Sequence, residues 1–542
     1  MMSSVRGFSL ACGCALLTAC ALGPDYKRPT VDVTTAYKEV DGWKPTEPAD
    51  ALARGPWWHI FNDPMLNGLE DQIDISNQTL KAAAASVEQS RALVREAQAG
   101  YWPTLSVSAG RTHSRRPGAD LSSANTNSIA NSNSIGSTST ITNTNSAGAT
   151  LNWPLDIWGT VRRSVESSKA GEQGNEATLA SARLAAQAEL AMDYFQLRGQ
   201  DQLQILLDDI VRADDLALKI TENRYRVGVA ARADVVTAQT QLLSAQAQQV
   251  GIAAQRGTLE HAIAVLVGQQ PATFAIPPTA IRGDVPTIPA GVPSDLLERR
   301  PDIAEAERQV AAANAQIGVA KGAYFPSLSL SGSLDYAAGG ALSQLFRVGN
   351  QTWSVGPNLT QILFAGGLHR AQVAAARAAW EVTVDNYRQA VLQGFQQVED
   401  QLVTLRALEQ QSLVEDKLVQ AAREAERLTL NQYKSGTVPY SSVITAQTTR
   451  LASEQSALTV FVDRLTASVV LIEALGGGWS TAQLQPVPPA STSTSAPVAP
   501  VPATPVRVPP PLSAAPAQQI PPMSPAPTQQ TQPRTAAPDE QR

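Results

Sequence analysis

Cysteine is nearly absent from this chain. Only three of its 542 residues are cysteines, Cys12, Cys14 and Cys20, and all stand in the first twenty positions. Past Cys20 the fold has no disulfide and no thiol chemistry to draw on. Histidine is scarce as well: His59, His113, His261 and His369 are the full set, with no metal-ligand spacing among them. Aromatic residues are only 5% of the total while Ala and Gln are abundant. That balance disfavours a thick globular core and favours long helices packed through small side chains. No run of Lys or Arg occurs and the net charge is −6, so nucleic acid is not an expected partner. Enzyme fingerprints are missing too: there is no G-x-S-x-G, P-loop or dinucleotide motif, and Gly476-Gly-Gly478 follows a helical run rather than a strand. The acidic pairs Asp208-Asp209 and Asp214-Asp215 fall on helix surfaces, where solvated charge is ordinary. No enzymatic activity, metal or cofactor is expected.

No apolar run is long enough for a membrane-spanning helix. The longest near the N-terminus, Phe8 to Leu17 after Arg6, has the layout of a secretory signal. It closes on Leu17-Thr18-Ala19-Cys20, which resembles a bacterial lipoprotein signal. The resemblance implies cleavage after residue 19 and acylation of Cys20, a lipid anchor. Ala21, where a retained lipoprotein would carry Asp, resembles those sorted to the outer membrane.

What the chain does have is a duplication. Tyr225-Arg-Val-Gly228 runs on to Thr237-Ala-Gln-Thr240, and the same spacing returns at Tyr433-Lys-Ser-Gly436 and Thr445-Ala-Gln-Thr448. In each copy a long helical pattern meets a glycine and a second helical pattern follows. Glycine past a helix end takes the left-handed conformation that lets the chain reverse, so both sites read as tips of helical hairpins. The division that follows is 1–19 signal peptide, 20–62 lipidated strap, 63–292 first repeat, 293–480 second repeat and 481–542 a proline-rich disordered tail. In the first repeat one helix is expected from about Pro64 to Gly100, stopped by Tyr101-Trp102-Pro103. The period then changes to two, with Leu105, Val107 and Ala109 opposed to Ser106, Ser108 and Gly110. A second alternating run carries Ala149, Leu151, Trp153 and Leu155. Between them 119–147, nearly all Ser, Asn, Thr, Ala and Ile, reads as a long exposed loop. The span from Gly159 to Tyr225 contains no proline and predicts a helix of roughly 100 Å at 1.5 Å per residue. A shorter helix follows to about Val267.

The second repeat predicts a helix from Arg300-Pro301-Asp302 to Gly322, then Tyr324-Phe325-Pro326. Strands with Leu328 and Leu330, and with Trp353, Val355 and Leu359, come next. A long helix from Gly367 to Tyr433 has the apolar seam Trp380, Val384, Tyr387, Val391, Phe395, Val398, Leu402 and Leu405 at coiled-coil spacing. The last helix runs to Leu475. Each strand has about the ten residues that cross an outer membrane. Four strands cannot close a barrel, and lipid does not tolerate open edges. The chain must therefore oligomerise, and a trimer supplies twelve strands. Serines and threonines facing inward suit a water-filled pore, Leu and Val facing outward suit lipid.

Together with the Tyr-x-x-Gly tips, the block Leu-Glu-Arg-Arg-Pro-Asp-Ile at 297–303 and Tyr324-Phe-Pro-Ser-Leu328 resemble outer-membrane efflux lipoproteins of the NodT/OprM type. So do Ala474-Leu-Gly-Gly-Gly-Trp479 and Gly23-Pro-Asp-Tyr26, and the likeness covers about 17–480. It implies a mostly α fold with a transmembrane β part: a TolC-like homotrimer whose twelve-stranded β-barrel continues into a periplasmic α-helical barrel. It implies an exit duct for small molecules, working with a periplasmic adaptor and an inner-membrane RND-type transporter in a Gram-negative outer membrane. Adaptor docking would fall on Val227, Gly228 and Val229 and on Ser435, Gly436 and Thr437. Gate contacts would fall on Asp234 and Tyr433. At two positions where several relatives carry pore-facing carboxylates this chain has Ser442 and Thr445, so weak cation selectivity is expected. The competing reading is a lipid-anchored periplasmic coiled-coil scaffold or adaptor, which leaves the four alternating strands unexplained.

Overall fold

A computed structural model describes residues 22–34, 36–40, 56–116, 140–281, 283–288 and 296–484. Cys20, the signal segment, 119–139 of the Ser/Asn-rich segment and 485–542 of the tail lie outside the described residues.

The first repeat opens with α1 (Pro64–Ser76) and α2 (Gln78–Ala99), then β1 (Thr104–Arg116) and β2 (Thr140–Leu155). The long α3 (Thr160–Arg226) and the shorter α4 (Arg232–Leu266) complete it. The second repeat is α5 (Pro301–Gly322), β3 (Ser327–Gly339), β4 (Gln351–Thr360), α6 (Leu368–Lys434) and α7 (Tyr440–Ala474). The long helices have 67 residues each, and the helices after the tips have 35 each. None of the described helices is long and apolar enough to cross a membrane.

Local chemistry sets these boundaries. Asp63 caps α1, its carboxylate accepting from the amides of Met65 and Leu66 at 2.9 and 3.2 Å, which occupies N–H groups a helix start leaves free. The single helix expected from Pro64 to Gly100 is in fact two. Asn77 breaks it with an extended backbone (φ −60°, ψ 123°), and its side-chain oxygen caps α2 at Leu80 N. Its amide donates to Leu266 O at 2.8 Å. The break therefore docks α1–α2 onto the end of α4, a contact between residues far apart in the chain. The Asp156 carboxylate accepts from Val161 N and Arg162 N and so satisfies the first turn of α3, which lacks a capping side chain at Gly159.

The expected 119–147 loop is also corrected, because β2 already begins at Thr140 and pairs with β1 as far as Arg116. Apart from Ile141 and Ala147 its first half is polar on both faces, so no apolar alternation marks it, and backbone pairing holds it. At the other end, Thr481–Gln483 form a 3₁₀ turn inside what was expected to be tail.

The main core lies midway along the long helices. Trp57, Trp58 and Phe61 of the strap pack with Leu66, Leu69 and Ile73 of α1, Tyr194, Phe195 and Leu197 of α3, Val398 and Leu402 of α6, and Leu471 and Ile472 of α7. Fully burying one such side chain contributes about 2 kcal/mol. The seam of α6 expected from its spacing is buried at Val384, Tyr387, Val391, Val398, Leu402 and Leu405. Two ionic clamps bind chain crossings to this core. Asp201, which is buried, accepts from Arg198 at 2.8 Å, from Arg256 at 2.6 Å and from the amide of Thr279 at 3.1 Å. That holds the segment between the repeats against α3 and α4. Arg300, also buried, pairs with Asp302 and donates to the terminal carbonyl of α7 at Ala474 (3.0 Å).

Candidate functional site

The four strands form one antiparallel sheet in the order β1-β2-β3-β4. Register decides its chemistry, because paired residues share a face. One set of rows reads Leu105, Leu151, Gly332 and Val355; then Val107, Ala149, Leu334 and Trp353; then Leu155, Leu328 and Leu359. The alternate rows read Thr104, Asn152, Ser331 and Gly356; then Ser106, Thr150, Ser333 and Ser354; then Ser108, Gly148, Asp335 and Thr352. Apolar residues thus gather on one face of all four strands, and small hydroxyl or amide residues on the other. Leu105 and Val107 are 70% and 79% exposed, Trp353 74%. β1 and β4 are sheet edges with unpaired backbone groups.

The strap descends from the junction of sheet and helices. Leu22 N donates to Trp158 O at 3.2 Å, and Arg163 binds Leu22 O and the Asp25 carboxylate at 3.1 and 3.0 Å. Gly23 crosses Gly318 so closely that a Cβ on Gly23 would stand 2.6 Å from the Gly318 Cα. Further down, Arg28 reaches the Tyr387 hydroxyl, and Glu399 accepts from the amides of Lys38 and Glu39. Cys20 is two residues from Leu22, so at most about 7 Å of extended chain separates it from this junction.

At the far end of the long helices are the two tips, built alike. Val229 N donates to Arg224 O at 2.8 Å and Thr437 N to Gln432 O at 3.0 Å; Gly228 N and Gly436 N bond to Tyr225 O and Tyr433 O. These are Schellman closures. They need the left-handed residue that Gly228 (φ +76°) and Gly436 (φ +79°) provide.

A sequence profile described as outer membrane efflux protein matches residues 69–269 and 292–477. The chain belongs to the outer membrane efflux protein family. It is 30% identical over 480 residues to a probable efflux pump outer membrane protein, TtgC, of Pseudomonas putida, covering 87% of this chain and 95% of that one. Its fold is similar to the outer-membrane channel OprN (TM-score 0.75, 28% identity, 85% of this chain and 100% of the other). It is likewise similar to the open state of the MtrE outer membrane channel of Neisseria gonorrhoeae (TM-score 0.71, 27% identity, 85% and 98%). Membership in the efflux family makes this protein an outer-membrane exit duct with a large periplasmic part, the reading that its motifs implied.

Within this efflux protein the tip residues are placed as follows. Val227 and Val229 are 74% and 65% exposed beside Gly228, whereas Ser435 and Thr437 turn their hydroxyls onto the Gln432 carbonyl at 2.9 Å. The first tip therefore offers an apolar surface and the second a polar one. Asp234 caps its own helix, its carboxylate accepting from Ala231 N at 3.2 Å, the role of a first-turn acid. Tyr433 packs against Tyr440 (5.2 Å between ring centroids) and under the Arg224 guanidinium of α3 (4.8 Å). Asp234 and Tyr433 are not bonded to one another among the described contacts. Thr445 bonds its hydroxyl to Ser441 O at 3.1 Å, and Ser442 is half-buried. Arg224 is the tip residue that sequence reasoning missed. Adjacency to Tyr225 does not show that it reaches the other repeat.

Proposed function

We propose that three copies of this chain close a twelve-stranded barrel whose polar face lines a water-filled lumen, and that small molecules pass through it without chemical change. The observation that carries this reading is the sheet itself, with two opposite faces and two open edges at membrane depth. Each free edge in lipid costs several kcal/mol per unsatisfied group, and joining β1 of one copy to β4 of the next removes all of them. Acylated Cys20, close to the sheet–helix junction through Leu22, would anchor each copy in the inner leaflet of the outer membrane. The tips Val227–Val229 and Ser435–Thr437 would receive a periplasmic adaptor, which couples the duct to an inner-membrane RND-type transporter. Asp234, Tyr433, Ser442 and Thr445 line the approach to the closed end.

The test combines assembly with transport. Membranes from cells producing the protein should show it in the outer-membrane fraction as an oligomer that runs differently when unboiled. A strain lacking it should accumulate some members of a panel of antibiotics, dyes and solvents. A protein that runs as a monomer with or without boiling, together with unchanged accumulation of every compound, would refute the duct.

A further inference from the structure

The outward face of the sheet changes character along β1. Leu105, Val107 and Ala109 are followed on the same face by Arg111, His113 and Arg115. β1 starts at the helical, periplasmic side, so the basic residues stand at its outer end. Their height is marked by neighbours. The row Ala109, Ala147, Tyr336 and Gln351 carries Tyr336, whose ring meets Phe346 edge-on at 5.3 Å. Such aromatics sit at the membrane–water boundary of barrels. Arg111 belongs to the next outward row, with Asn145 and Ala338, and His113 and Arg115 to the two after it.

Charge on this sheet is otherwise sparse. β1 ends on Arg116 at an alternate position opposite Thr140, β2 and β4 have no charged residue, and the one acid of β3, Asp335, is on the lumen face in the row of Ser108 and Gly148. Arg111, His113 and Arg115 are exposed, and no described acidic group pairs with either arginine. With a rise of about 3.4 Å per residue, Arg111 and Arg115 are about 14 Å apart along the strand. One outward row beyond Tyr336, two unpaired guanidiniums on the apolar face of the sheet would, in the barrel proposed above, meet the headgroup layer of the outer leaflet rather than the lumen.

We infer that Arg111 and Arg115 bind the phosphate groups of the lipid A headgroup of lipopolysaccharide, while His113 between them is held through Nδ1 by the Asn143 side-chain oxygen. Guanidinium forks match phosphate oxygens two by two, and a phosphorylated sugar headgroup presents its anions at this depth. Each trimer would hold three such sites on its outer rim, and the lipid would brace β1, the strand at the seam between subunits.

The purified trimer is titrated with bisphosphorylated lipid A, with dephosphorylated lipid A and with phosphatidylglycerol, and bound lipid is counted by native mass spectrometry. The native protein should retain bisphosphorylated lipid A, and the R111A/R115A variant should bind it about tenfold more weakly. R111K/R115K keeps the charge and should fall between the two. If the alanine pair does not assemble, the lysine pair decides, since loss of the guanidinium fork alone should weaken binding. Equal binding by native and substituted proteins would overturn the inference. So would equal retention by the native protein of dephosphorylated lipid A or of phosphatidylglycerol.

Discussion

Glu70 offers a sharp test of how the middle of this duct is built. It sits in α1 with no exposed surface, between the core residues Leu69 and Ile73, and neither carboxyl oxygen has a partner among the described residues. Burial, reinforced by the charges of Asp74 and Asp71, pushes its pKa up to about 9 from the ordinary 4.5. An acid raised in this way holds its proton in the folded state and loses it in the unfolded one. Between pH 4.5 and 9 unfolding therefore releases a proton, and stability falls as pH rises. The contribution is complete below about pH 4.5, and about 1.4 kcal/mol disappears per pH unit above it. At pH 7 that is about 3 kcal/mol. Glu70→Gln keeps the shape and removes the titration. Its new amide lies three positions along the helix from Asn67, whose buried side-chain oxygen also lacks a described partner. The assay is thermal unfolding of the detergent-solubilised protein at one scan rate, from pH 5 to 9. The variant should gain on the native protein steadily with pH. Parallel curves would show that Glu70 is ionised or hydrated, and the reasoning would fail.

Three further outcomes are expected. Gly228→Ala and Gly436→Ala meet no neighbouring atom within 4 Å, so their cost is the left-handed backbone alone, about 1–2 kcal/mol each. Outer-membrane levels should hold while cross-linking to the adaptor falls severalfold, and unchanged cross-linking would remove the tips from the docking surface. Asp214, expected on a solvated helix surface, is instead buried between α3, α6 and α7, where burial raises its pKa to about 6, Arg450 opposes the rise and Glu426 adds to it. That group stabilises most below about pH 4 and loses its contribution as pH climbs through 6, so Asp214→Asn should flatten the melting temperature over that window. Ser442→Asp with Thr445→Asp should raise the cation preference of single channels in planar bilayers, starting from a weakly selective native duct. Strong cation preference in the native protein would refute that.

The parts of this fold that were legible are those fixed by neighbours in sequence. The long helices were placed to within a residue or two at each end because they contain no proline and are bracketed by glycines whose positive φ only glycine takes cheaply: Gly159 and Gly228, Gly367 and Gly436. The strand faces were legible for the same reason, since alternation is a local pattern and the pairing register keeps it intact across four strands. What escaped depends on distant partners. The break at Asn77 exists because the carbonyls of Leu266 and Val267 need donors, which Asn77 and Ser76 supply across nearly two hundred residues. The outer half of β2 has polar residues on both faces, so it offers no periodicity to read, and only its ladder with β1 makes it a strand. Tyr433 was visible as a repeated position, but its stacking under Arg224 joins the two repeats and is written in neither.

These contrasts bear on where the duct can move. Around the middle, the core combines aromatic and aliphatic side chains from the strap and six helices, α1 to α4, α6 and α7, and the Asp201 and Arg300 clamps bury charges whose loss costs about 3–5 kcal/mol when one partner is removed. Near the tips the packed cluster shrinks to Ala238, Tyr440 and Val443, with Tyr433 and a few partly buried neighbours. Local opening free energy follows the amount of buried apolar contact, so the tips can part at a cost the middle could not bear. The aromatic and cation–π contacts there, Tyr433 with Tyr440 and with Arg224, contribute about 0.5–1.5 kcal/mol each. On the docking proposed above, an adaptor covering Val227 and Val229 would recover energy of at least that size, since burying one valine side chain contributes about 1.5–3 kcal/mol. Opening by docking would then need no acidic gate, only a tip held shut by a few weak contacts, and Ser442 and Thr445 bring no charge to it.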